Sequence, residues 1–150
     1  MFAFWRMYLL IAADLTILAG LAFAFGQELP GIRHLTDTVV AQVTGSGDPG
    51  PAAAALVALY NGLTGALTVG LGVAVAALAY YPFSRGERWA APAIALTLIS
   101  WYAVDTTAAA LSGATVLVVF NTALIAAFAP PLIFAWRHTP EGRGLTSQQA

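Results

Sequence analysis

The sequence predicts an all-α integral membrane protein: a bundle of four transmembrane helices with both termini cytoplasmic, and a stretch between the first two that reads either as a short interfacial helix or as a loop. Three observations predict it. Of 150 residues, 59% are apolar and 9% charged, against about 25% charged in a soluble domain, and mean hydropathy is +0.78. The apolar residues gather in four runs, each long enough for a hydrocarbon core about 30 Å thick. Five of the six arginines then fall on one side of the topology that these runs impose.

The first run covers about 5–26 and, as a helix, rises roughly 33 Å. A cleavable leader is its rival, since Arg6 precedes it and Ala22-Phe23-Ala24 resembles a small-residue cleavage site. The run is long for such a leader and contains Asp14, which favours a retained helix. Residues 27–51 form a polar extracytoplasmic segment broken by Pro30, Gly31, Gly45, Gly47, Pro49 and Pro51. Within it Ile32, Leu35, Val39 and Val43 recur at helical spacing opposite Asp37 and Gln42, the pattern of an amphipathic helix lying on a membrane surface. An ordinary loop is the other reading.

Asp48 before Pro49 and Pro51 reads as the N-cap of the second spanning helix, over about 52–83. That run exceeds one bilayer thickness and must tilt or protrude. Ser84 and Glu87, in the turn Ser84-Arg85-Gly86-Glu87-Arg88, fit a capping box for the third helix at about 89–111. Ser112-Gly113 makes a tight turn into the fourth, at about 114–136. Pro130 and Pro131 are expected to bend or loosen its end, since each removes a backbone donor. The polar stretch 137–150 reads as a cytoplasmic tail.

With the N-terminus inside, Arg6, Arg85, Arg88, Arg137 and Arg143 are cytoplasmic and Arg33 alone is outside, a positive-inside bias. Trp5, Tyr8, Tyr80, Tyr81, Trp89 and Trp136 would form an aromatic belt on the cytoplasmic side. The expected location is the inner membrane of a bacterium. The Ala-rich, Lys-free composition agrees with a GC-rich bacterial genome.

Absences exclude whole classes of chemistry. Without Cys there is no thiol nucleophile, disulfide or Cys-held metal cluster. Without Lys there is no Schiff base to retinal or pyridoxal phosphate. The two histidines, His34 and His138, lie outside the apolar runs, against a bis-His haem. A net charge of −1 offers no nucleic-acid groove. No cofactor and no metal site is expected.

An Asp at the centre of a spanning helix costs about 2.5 to 3.5 kcal/mol to insert, so intramembrane polar residues are the site candidates. Asp14 lies near the middle of the first run and Asp105 nearer the outer end of the third. Asn61 and Asn121 sit at comparable outer depth in the second and fourth, so one polar layer across the bundle is expected. Trp101 is four residues before Asp105, and its indole N–H is expected to meet that carboxylate; Thr106 adds a hydroxyl. If the first and third runs are neighbours, Asp14 becomes a proton-sharing partner of Asp105. Asn61, Gly65, Thr68 and Gly72 form a small, polar stripe expected to look into the bundle. The bland reading of the layer is inter-helix glue. Arg85 and Arg88 are candidates for anionic lipid headgroups, or simply enforce topology.

A faint echo pairs Ala13-Asp14-Leu15-Thr16 with Val104-Asp105-Thr106-Thr107, and Tyr60-Asn61 with Phe120-Asn121, as a parallel duplication would. Pro82-Phe83, Arg85-Gly86-Glu87-Arg88-Trp89-Ala90, Trp101, Asp105-Thr106, Gly113 and Asn121, over 81–121, resemble a group of small uncharacterised four-helix bacterial membrane proteins. That resemblance implies four helices and no assigned activity.

The expected function is that of a non-enzymatic accessory bundle interacting with lipid or another hydrophobic ligand. Its expected partners are membrane lipids and either further copies of itself or a larger membrane complex. A proton- or ion-coupled small carrier or sensor using Asp14 and Asp105 is the alternative. A lipid-modifying enzyme is the third reading, with Asp105 as acid or base beside Asn121 and Trp101.

Overall fold

The computed structural model describes residues 2–46 and 50–138. Among them the regular elements are all helical: α1 (Phe2–Phe25), α2 (Pro30–Thr44), α3 (Gly50–Tyr80), a 3-10 turn (Phe83–Arg85), α4 (Ala90–Leu111) and α5 (Thr115–His138). Four of them, α1, α3, α4 and α5, are long and apolar enough to cross a membrane. Their outward flanks carry large exposed apolar side chains such as Leu18, Leu63, Leu96 and Val119, which suits a bundle whose solvent is lipid rather than water. Asp48 and Pro49 of the expected N-cap, and Arg143 with most of the expected tail, lie outside the described residues.

The four long helices close a ring in which α1 packs on α3 and α5, and α4 packs on the same two. The α1–α3 seam is the closest contact, and glycine explains it. A Cβ at Gly65 would lie 2.5 Å from the Gly20 carbonyl oxygen and 2.6 Å from the Ala24 amide nitrogen. One at Gly72 would lie 2.9 Å from the Ala13 carbonyl oxygen. The backbones therefore meet where a side chain would hold them apart. The stripe Asn61, Gly65, Thr68, Gly72 is buried as expected, and its two glycines face α1.

Toward the end that holds the α3–α4 turn, Leu9, Val75, Ile94, Leu98 and Phe128 are almost wholly buried and form one apolar core. Near that end α5 runs unbroken through Pro130 and Pro131. Pro131 leaves the Ala127 carbonyl without its helical donor, and the Tyr8 hydroxyl of α1 donates to that oxygen at 2.9 Å. The chain stays helical past both prolines, and at Pro131 a neighbouring helix supplies the hydrogen bond that the proline cannot.

Between α1 and α3 the chain forms a helix, α2. Pro30 stands in its first turn, and Gly45 ends it with φ +72°, a conformation glycine adopts without strain. Gln42 of α2 accepts a hydrogen bond from the Val116 amide with its side-chain oxygen, at 3.2 Å, satisfying one of the orphan donors at the start of α5.

The turn before α4 departs from the expected capping box. Ser84 donates to the carbonyls of Tyr80 and Tyr81, closing the helix behind it rather than opening the one ahead. Glu87 accepts from the Trp89 indole N–H at 2.7 Å and stands 3.9 Å from Arg85. Gly86 at φ +70° ends the 3-10 turn, and α4 starts only at Ala90, too far along for Ser84 to cap it.

Candidate functional site

Three adjoining cavities run from beneath α2 into the middle of the bundle. The central one, about 300 Å³, lies among all four long helices and is lined mainly by apolar side chains, including Leu15, Leu67, Leu117, Leu124 and Phe128. Thr16, Thr64, Thr68, Trp101, Asp105 and Asn121 supply polar atoms in its wall. Ile11, Leu15 and Leu67 line it while remaining 54%, 61% and 68% exposed. All three sit well inside their helices, so the cavity opens sideways through the apolar flank of the bundle rather than at an end.

A second cavity of about 450 Å³ lies under α2 and shares Phe23, Tyr60, Thr64 and Leu117 with the first. A third, about 370 Å³, is polar, with Gln27, Glu28, Arg33 and Asp37 in its wall, and shares Thr36, Val40, Val57 and Asn61 with the second. The third cavity is charged and the second apolar, and each shares wall residues with the next.

The Asn121 side-chain amide donates to Asp105 Oδ2 at 2.7 Å and to Thr106 Oγ1 at 3.2 Å. Asp105 and Thr106 come from the last turns of α4 and Asn121 from the second turn of α5, so the hairpin at Gly113 brings them level. Nearby the Tyr102 hydroxyl pairs with Thr122 Oγ1 at 3.1 Å. Both hydrogens of the Asn121 amide are thus engaged within the hairpin. No buried side-chain oxygen or nitrogen goes unpaired among the described residues.

Of the other predicted residues, Trp101 reaches the central cavity beside Asp105 and packs on the apolar core. Its indole makes no hydrogen bond to Asp105, whose carboxylate is met by Asn121 from across the hairpin instead. Asn61 stands apart from this pair. Its amide donates to Thr36 Oγ1 of α2 at 3.1 Å, tying α2 to α3, and it lines the second and third cavities. Asp14 is exposed on the outside of α1 and lines none of the three. Since α1 and α4 sit across the ring from each other, Asp14 and Asp105 do not meet.

The echo between hairpins does not extend to these pairings. In the α1–α3 seam Gly20 lies against Gly65, which sets Asp14 and Asn61 about 15 Å apart along the axis. Arg85 and Arg88 are exposed in the α3–α4 turn. Sequence reasoning missed the polar cavity wall of Gln27, Arg33 and Asp37 and the role of Tyr8. The first looked like ordinary loop polarity; the second had a signal in the proline pair, which asks for an outside donor. Among the described residues no three acidic or histidine side chains converge as a metal site would require.

No family model, no curated protein and no solved structure matches this chain.

Proposed function

We propose that this chain is a multi-pass membrane protein of the bacterial inner membrane that binds a hydrophobic ligand without transforming it. The observation that carries the reading is the central cavity: apolar, open sideways at mid-height of the long helices, and furnished with one hydrogen-bonded Asp–Asn pair. Its size falls at the lower edge of the usual 300 to 1,000 Å³ for small-molecule sites. A sideways mouth gives access to a molecule already dissolved in the hydrocarbon. A single carboxylate that accepts from the Asn121 amide lacks the second group that acid–base turnover needs.

The orientation that fits is N-terminus inside. Arg6, Arg85, Arg88 and Arg137 lie at one end of the antiparallel bundle and Arg33 in α2 at the other. Trp5 with Tyr8 and Phe134, and Tyr80 with Tyr81, form aromatic clusters at the arginine-rich end. In that orientation α2 lies at the outer interface, its apolar side over the second cavity.

Native mass spectrometry on the protein released gently from lipid nanodiscs tests the reading. The expected spectrum shows the 15.6 kDa chain, or a multiple of it, carrying a retained small molecule. A bare chain, or one that travels only with another protein, would replace ligand binding with an accessory-subunit role. The carrier alternative rests on Asp105 alone, since Asp14 stands outside the cavities. Proton or ion flux in liposomes that is unchanged by Asp105→Asn would end it.

A further inference from the structure

The hydrogen-bonding inventory of the central cavity holds both acceptors and donors. Thr16 and Thr68 spend their hydroxyl hydrogens on carbonyls of their own helices, Ala12 and Thr64, at 2.8 Å each. Tyr8 spends its hydrogen on Ala127. The Asn121 amide spends both of its hydrogens on Asp105 and Thr106, so only its carbonyl oxygen remains. Asp105, when ionised, is an acceptor only. No buried side-chain oxygen is left unpaired among the described residues, so the Asn121 carbonyl oxygen and the second Asp105 oxygen, which accept from no protein donor, are not shut away from a guest, and both residues line the cavity. The donors there not engaged within the protein are the Trp101 indole N–H and the hydroxyls of Tyr60 and Thr64.

We infer, resting on the ligand-binding reading above, that the central cavity takes a neutral hydrocarbon ending in a hydroxyl group, such as a long-chain or isoprenoid alcohol. Such a hydroxyl donates to Asp105 or to the Asn121 carbonyl and accepts from the Trp101 N–H or a hydroxyl of Tyr60 or Thr64, so it serves both the acceptors and the donors of the site. The apolar wall and the sideways mouth at Ile11, Leu15 and Leu67 receive the chain. When Asp105 is ionised, a fatty acid or phospholipid headgroup would bring a second negative charge beside it in a medium of low dielectric, where like charges repel strongly. An amphiphile with a cationic head finds one carboxylate, but the indole N–H then faces a group with nothing to accept it.

The test uses the full chain in detergent and three probes that share one eighteen-carbon chain: oleyl alcohol, oleate and oleylamine. Retention of each is read by native mass spectrometry under competition. The wild type is expected to hold the alcohol at least about tenfold over oleate, a difference of about 1.4 kcal/mol, and above the amine. Asp105→Asn, which keeps an acceptor while removing the charge, is expected to retain the alcohol and shrink its lead over oleate to below about threefold, the repulsion being gone. Ala19→Phe, which puts a ring on the cavity wall, is expected to expel all three, with circular dichroism and gel filtration confirming that both variants fold. Oleate equal to the alcohol, the amine above it, or an Asp105→Asn variant with an unchanged ratio would overturn the hydroxyl assignment. If the three probes bind equally and Ala19→Phe still expels them, that assignment falls while the ligand-binding reading stands. If none binds, or Ala19→Phe has no effect on any, both fall.

Discussion

The α1–α3 seam and the space between the two hairpins are built from the same kinds of residue and do opposite things. In the seam, Gly20, Gly65 and Gly72 let two backbones touch, and Thr16 and Thr68 turn their hydroxyl hydrogens back onto their own helices. Between the hairpins, Leu15, Leu67 and Leu124 stand around a gap; Asn121 and Tyr102 bond within the α4–α5 hairpin, and Tyr8 reaches across from α1 to the Ala127 carbonyl. Lipid is as apolar as leucine, so helix association in a membrane rests on close packing and interhelical hydrogen bonds. The seam has the close packing and holds the bundle; the gap lacks it and is free to admit a guest.

Substitution should separate the two regions. The largest effect is expected from Gly65→Leu, since even a methyl there meets backbone at 2.5 Å and no side-chain rotation relieves it. A loss of about 3 kcal/mol or more, by the usual cost of overpacking, should show as aggregation or a collapsed melting transition in detergent. Asn121→Leu comes next: it removes two donors from Asp105 and Thr106 and should lower stability by about 0.6 to 2 kcal/mol, leaving the fold intact. The smallest effect belongs to Gly70→Ala on the same helix as Gly65. Nothing lies within 4 Å of its Cβ position, so thermal melting should be unchanged or slightly raised. Equal damage from Gly65→Leu and Gly70→Ala would break the contrast.

Much of this contrast could be read from spacing. Four runs of sufficient length give four long helices, because a chain in lipid must satisfy its backbone internally. Asn61, Gly65, Thr68 and Gly72 recur every three or four residues and so share a face. Asp105 and Asn121 lie at equal depth on either side of a short turn, which is enough to bring them together. What spacing could not give was the ring order, which sets Asp14 outside and separates it from Asp105. Nor could it decide which of two helix ends Ser84 serves, since Ser-x-x-Glu after a helix fits a cap ahead as well as a closure behind. The segment 30–44 was open between helix and loop because its apolar periodicity is short. Gln42 and Thr36, which tie it down, find their partners far along the chain, at Val116 and Asn61.

The division between a holding seam and an admitting gap is tested most directly by Ala19→Phe, through ligand retention and thermal melting measured on one preparation. Ala19 neighbours the seam residue Gly20 yet lines the central cavity. The account predicts that the variant loses its bound molecule while melting no lower than the ligand-free wild type. A variant that keeps the molecule, or that unfolds as Gly65→Leu does, would contradict it.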